Sequence, residues 1–191
     1  KGIEVKAIKS AGILGNIGST VINSARILLE ANVTNSTEGL VGVSVDNTST
    51  GTNDTNGTIE VKANYSSGMS STGGLAKNDG KIQLINASTV GILSTNANVE
   101  NNGLTTTSPA VTKGIIIEND KSVGIFAKDN GNTYSALNAG TISLENPTGE
   151  DYTSLIGMFA QGTASSKAGV TNKASVKNTG TINVNTKKSV G

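Results

Sequence analysis

Apolar residues recur at fixed offsets along most of this chain. In Gly57-Thr58-Ile59-Glu60-Val61-Lys62-Ala63-Asn64-Tyr65-Ser66-Ser67-Gly68 an Ile leads, an apolar residue follows two positions later, and a Gly falls nine positions after the Ile. Gly80-Lys81-Ile82-Gln83-Leu84 through Gly91 repeats the spacing, as do segments led by Ile3 (Val5, Gly12), Ile115 (Ile117, Gly124) and Ile182 (Val184, Gly191). Two further copies, led by Ile27 (Leu29, Gly42) and Ile142 (Leu144, Gly157), share a six-residue insertion before the Gly. The intervals between successive leading Ile residues are 24, 32, 23, 33, 27 and 40.

Side chains two apart share one face of a strand. Ile59/Val61, Ile82/Leu84, Ile115/Ile117 and Ile142/Leu144 are therefore predicted to point inward, with Glu60, Gln83 and Ser143 outward. Around the second motif, Val90/Ile92, Val123/Ile125 and Ile156/Met158 are predicted inward, leaving Gly68, Gly91, Gly124 and Gly157 outward or at a bend. A unit of 23–24 residues with insertions and at least two short strands suits one coil of a β-solenoid. The expectation is an all-β parallel β-helix of about seven coils, one segment over 1–191. Residues 21–32 can be drawn as a helix, but the repeat register assigns them to strand. Both ends fall inside a repeat, so the chain reads as a fragment of a longer solenoid.

A corner signal precedes four of the leading Ile residues. Asn23-Ser24-Ala25-Arg26-Ile27, Asn78-Asp79-Gly80-Lys81-Ile82, Asn138-Ala139-Gly140-Thr141-Ile142 and Asn178-Thr179-Gly180-Thr181-Ile182 all read N-x-(G/A)-x-I. The Gly is expected to supply a positive φ for a tight corner. Stacked coil on coil, the Asn side chains can form a hydrogen-bonded ladder.

Composition agrees with an extended, repetitive architecture. Only 35% of residues are hydrophobic and 3% aromatic, with 24 Gly, 23 Asn and no Cys, His or Trp. Large side chains are too few for an ordinary globular core, whereas aliphatic ladders need none. Without Cys or His there is no Cys/His zinc site, thiol nucleophile or Ser-His-Asp triad. A net charge of +1 lacks the basic footprint of a nucleic-acid binder. No cofactor is expected.

The N-x-G-x-I-x-(V/L) unit followed by Ser122-Val123-Gly124-Ile125-Phe126-Ala127 resembles the passenger repeats of large type V autotransporter adhesins, most closely those of fusobacteria. An Asn/Lys/Ile/Thr-rich chain with one Arg, Arg26, fits such a source. The resemblance implies a right-handed parallel β-helix at the cell surface, anchored through a C-terminal outer-membrane barrel absent from this sequence. It also implies adhesion to a host-cell receptor, a glycan or a partner bacterium, with no binding residue transferable.

Candidate binding residues come from the aromatics. Phe126 and Phe159 both lie two positions after the motif Gly, and Leu93 holds that place one repeat earlier. They form a predicted outward ladder, either an exposed strip for a partner or a strip covered by a loop or turned inward. Tyr65, Tyr134 and Tyr152 are placed in loops or turns where a ring can stack on a sugar. The longest excursions are 95–112 and 161–177, with the shared insertions at 32–38 and 146–152, all surface loops. Three lookalikes carry little: the Gly12–Gly18 glycines belong to the repeat, seven N-x-S/T sequons follow from composition, and Glu150-Asp151 and 46–54 lack spaced calcium ligands. The rival function is a carbohydrate-active or tailspike-like β-helix acting on polysaccharide. It needs clustered carboxylates, but Glu4, Leu28, Glu60, Gln83, Ile116, Ser143 and Asn183 place no two on adjacent coils. No outward Thr-x-Thr lattice for ice or mineral is visible. A non-enzymatic surface segment is the leading reading.

Overall fold

The computed structural model describes the chain except residues 36, 38, 105, 108–109, 130–133, 146–153, 163–173 and 187–188; the side chains at 106–107, 110–111 and 134 also lie outside the description. The described residues are all-β, without a helix, and form three parallel sheets consistent with a β-solenoid. The first sheet has seven strands: Ile3–Val5, Arg26–Leu29, Thr58–Val61, Lys81–Leu84, Gly114–Ile117, Thr141–Leu144 and Thr181–Val184. Its register is the one the spacing predicts, Ile27↔Ile59↔Ile82↔Ile115↔Ile142↔Ile182, with each neighbour parallel. Within 21–32 the structure has strand and no helix, Thr20–Asn23 followed by Arg26–Leu29.

The inward columns of this sheet are fully aliphatic. Ile27, Ile59, Ile82, Ile115 and Ile142 are completely buried, as are Leu29, Val61, Leu84, Ile117 and Leu144. Burying one such side chain contributes about 1.5–3 kcal/mol, and each packs on an aliphatic residue in the coils above and below. Glu60 and Gln83 lie on the outer side, half-buried. Leu28, Ile116 and Ser143, predicted outward, are also buried, but Leu28 and Ile116 stand apart from the central hydrophobic cluster.

The second sheet carries the motif glycines in six strands: Ala11–Gly15, Val41–Asp46, Ser67–Thr72, Val90–Thr95, Val123–Asp129 and Ile156–Gly162. Here the expectation for the glycines needs correction. A Cβ on Gly42, Gly68, Gly91 or Gly124 would lie 2.6–3.0 Å from the leading Ile of the following repeat and 2.5–2.8 Å from the carbonyl oxygen of the next motif Gly. These glycines thus face the core, where any side chain would collide with the Ile column. The pairing runs from Val90↔Val123 to Ile92↔Ile125 and skips the glycine, so the bend alternative holds and the outward one fails. The skipped residue also shifts the alternation by one. Ile92 and Ile125 after the Gly are fully buried, while Val90, Val123 and Ile156 before it are only half-buried.

The third sheet, a further strand per coil where at least two were expected, contains Thr20–Asn23, Thr50–Asn53, Leu75–Asn78, Asn98–Asn101, Tyr134–Asn138 and Ala174–Asn178. Every strand ends in Asn, and these side chains form an amide chain. Asn23 Nδ2 donates to Asn53 Oδ1 at 2.8 Å. The relay continues Asn53 to Asn78, Asn78 to Asn101, Asn101 to Asn138 and Asn138 to Asn178, each at 2.7 Å. The expected ladder is therefore present, with two members, Asn53 and Asn101, that the N-x-G-x-I spacing does not find. In their repeats residues intervene between the Asn and the leading Ile, at 54–56 and 104–113.

The glycine of this corner has a different cause from the one expected. None of Gly57, Gly80, Gly103, Gly140 or Gly180 has a positive φ. A Cβ on Gly80 would instead strike the carbonyl oxygen of Gly57, one on Gly140 that of Gly103, and one on Gly180 that of Gly140. Successive coils pass too closely here for a side chain.

Candidate functional site

The outer face of the second sheet brings the candidate residues together. The register aligns Leu14, Ser44, Ser70, Leu93, Phe126 and Phe159 in one outward column. Its chemistry is apolar at Leu14, hydroxyl at Ser44 and Ser70, and apolar again from Leu93 to Phe159. Leu93 and Phe126 are half-buried and Phe159 is 42% exposed. The Phe126 and Phe159 rings pack tilted at 53°, with centroids 5.3 Å apart, within the separation that aromatic pairs favour.

Beside this column lies a groove of about 270 Å³ lined by Tyr65, Ser66, Ser67, Ser88, Val90, Leu93 and Phe126. Val90 takes part because the skipped glycine turns it to the same surface as Leu93. Tyr65 forms the wall and is 41% exposed. Its backbone is left-handed, with φ of 54°, unusual for a bulky side chain. The same place three residues before the motif Gly is left-handed at Lys9, Ser88, Lys121 and Ser154. The Tyr65 amide donates to the Ser88 carbonyl at 3.0 Å, and the Ser88 amide to the Asp120 carbonyl at 2.9 Å. These bonds between coils hold the strained corner. On its other side stands Gly39, whose Cβ would strike the Tyr65 carbonyl oxygen.

One residue inward of that corner runs a second polar ladder that the sequence reading missed. Leu40, Ser66, Thr89, Ser122 and Leu155 are buried in succession. The Leu40 amide donates to Ser66 Oγ at 2.9 Å, the Thr89 amide to Ser122 Oγ at 3.2 Å, and the two hydroxyls of Thr89 and Ser122 lie 2.9 Å apart. The recurrent Ser or Thr two positions before the motif Gly was the available signal. Ser66 thereby serves the scaffold, leaving Ser67 and Ser88 as the other hydroxyls lining the groove.

No charged residue lines the groove, although Lys121 holds the Tyr65 place in a later coil and Lys128 lies two residues from Phe126. Arg26 makes a two-pronged bond to Glu60 on the first sheet, at 2.9 and 2.7 Å. The guanidinium holds the Glu60 carboxyl below its ordinary value, and Glu60 raises Arg26 in turn. The Ser24 hydroxyl bonds Asp54 and, with the Asn56 amide, lowers its pKa. The register Glu4↔Leu28↔Glu60↔Gln83↔Ile116↔Ser143↔Asn183 is the dispersed arrangement expected from the sequence. Among the described residues no three Asp or Glu side chains come together as metal ligands, and no helix is long and apolar enough to cross a membrane.

Of the remaining candidates, Tyr134 opens the strand Tyr134–Asn138 with its ring outside the described part, and Tyr152 and Glu150-Asp151 lie outside it altogether. The same holds for 146–152 and for most of 161–177. The excursion expected at 95–112 is shorter. Asn98–Asn101 belongs to the third sheet, and the departure is confined to 104–113, where Thr106–Thr107 pairs antiparallel with Ala110–Val111. The Asn amide chain claims Asn101 for the corner and so fixes where the insertion starts.

No protein-family model, curated protein or solved structure matches the chain.

Proposed function

We propose that the chain is a non-enzymatic segment of a bacterial surface autotransporter adhesin. In this reading it is a rigid, right-handed β-helical stalk of about seven coils, displayed outside the cell and presenting surface features to a host-cell receptor, a glycan or another bacterium. The right hand follows the general preference, about 98%, for right-handed crossovers between parallel strands of one sheet. The observation that carries the reading is the register. The positions that resemble passenger repeats fall side by side, leading Ile on leading Ile in the first sheet and the residues flanking each motif Gly on one another in the second. Rigidity follows from the buried aliphatic columns and the amide chain. An outer face that carries an apolar run of Leu93, Phe126 and Phe159, with carboxylates dispersed, suits recognition by contact better than acid–base chemistry.

Antibodies raised against the purified chain test this reading on the source bacterium. The expected result is labelling of intact cells, loss of the epitope on protease shaving, and competition of cell adhesion by the soluble chain. Labelling only after permeabilisation would refute it. Depolymerisation of a polysaccharide, abolished by replacing one carboxylate, would favour the tailspike-like alternative.

A further inference from the structure

We infer that the groove beside Tyr65 is a subsite for a neutral pyranose ring; this rests on the reading of the chain as an adhesin and names a ligand class for it. Three features of the groove point that way. Its lining combines one aromatic wall, an aliphatic and aromatic floor of Val90, Leu93 and Phe126, and the hydroxyls of Ser67 and Ser88, with no charged residue. A pyranose has the matching character, an apolar C–H face and an edge of hydroxyls. The volume, about 270 Å³, is below that of a pocket for a drug-sized ligand, and is on the scale of one small ring. Tyr65 is the third feature. It occupies a left-handed backbone position where the neighbouring coils carry Gly39 and Ser88, so neither neighbour covers its ring with a large side chain. The left-handed corner recurs in other coils, but among the described corners of this kind Tyr65 is the one aromatic, and it is left 41% exposed.

In the bound arrangement the sugar's C–H face lies against the Tyr65 ring and its far edge on Leu93 and Phe126. Ser67 and Ser88 then meet the ring hydroxyls. Neutral sugars are favoured over sialic or uronic acids because the lining offers no cation, and over a leucine-like side chain because Ser67 and Ser88 add polar groups to a mainly apolar lining.

The test uses the purified 191-residue chain and amide chemical-shift mapping with methyl β-D-galactopyranoside, methyl β-D-glucopyranoside and methyl α-L-fucopyranoside. N-acetyl-leucinamide serves as the peptide-like probe. At least one sugar is expected to shift the amides around Tyr65, Ser88 and Leu93. Tyr65→Asn, which tolerates the left-handed backbone, is expected to weaken binding at least tenfold with the fold intact. Leu93→Ser copies the residue that Ser70 already supplies one coil away and is expected to weaken it severalfold. Tyr65→Phe should retain binding within about threefold. No sugar binding by a chain that still blocks cell adhesion overturns this inference and leaves the adhesin reading standing. Sugar binding unaffected by Tyr65→Asn and Leu93→Ser overturns the location, and binding of N-acetyl-leucinamide alone overturns the ligand class. Sugar binding at the groove in a chain that is not displayed on cells supports the site and sinks the adhesin reading instead.

Discussion

Replacing Asn78 by Ala removes the middle of the buried amide chain. Asn78 accepts from Asn53 Nδ2 and donates to Asn101 Oδ1, both at 2.7 Å, and all three residues are fully buried. Truncation leaves a donor and an acceptor without their partner, and each such group costs about 1–3 kcal/mol. Asn53 Nδ2 keeps a bond to the Lys81 carbonyl at 3.2 Å, which reduces its share. The net loss is then about 2–4 kcal/mol, or roughly 5–15 °C in Tm for a chain of this size. The assay is urea unfolding followed by far-UV circular dichroism, beside Asn178→Ala at the exposed end of the chain, where about 1 kcal/mol is expected. Equal losses in the two variants would refute the argument, because burial would then contribute nothing. Asn78→Asp adds a pH signature. A carboxylate can accept from Asn53 but cannot donate to Asn101 Oδ1, so burial and the facing oxygen raise its folded pKa above the unfolded value. The native state then holds the proton to higher pH, and the variant must lose stability as pH rises and recover it in acid.

Four further outcomes are expected. Ile82→Asp puts an unpaired carboxylate into the aliphatic column and should cost several kcal/mol; an unchanged melting curve would sink the register. Gly91→Ala drives a Cβ to 2.5 Å from the Gly124 carbonyl oxygen and 2.8 Å from Ile115, and calorimetry should show a loss of about 1–3 kcal/mol. Ser71→Ala should stabilise by about 1 kcal/mol, since the Ser71 hydroxyl is buried without a hydrogen-bond partner; a lower urea midpoint contradicts this. The Glu60 carboxyl is held below its ordinary value by Arg26. Its contribution is therefore complete above the unfolded value of 4.5 and is lost as pH falls through the lower folded value. Glu60→Gln should flatten that part of the acid-unfolding curve, and high salt should mimic it.

Legibility was uneven for physical reasons. The first sheet could be read residue by residue, because each of its strands places an aliphatic residue two positions after the leading Ile and strand alternation has a period of two. The second sheet could not. One glycine per coil drops out of the pairing, so Val90 and Val123 exchange faces with the positions assigned to them, and no count of alternation contains that step. The outward aromatic column survived because it lies after the skipped residue, in phase with the buried Ile92 and Ile125. The sequence alone places the Tyr65 ring in a turn. That it shares a groove with Leu93 and Phe126, from the following two coils, depends on stacking.

The sequence by itself determined the all-β repetitive character, the leading Ile register and the existence of an Asn ladder, since each follows from residues that recur at short offsets. Only the tertiary structure decided which way the motif glycines face, that Asn53 and Asn101 complete the amide chain, and that the corner glycines answer to a neighbouring carbonyl rather than to φ. The reason is the same in each case. These features are set by the distance between coils, and residues that touch across it lie 23–40 positions apart in the chain, joined by insertions whose length varies from repeat to repeat.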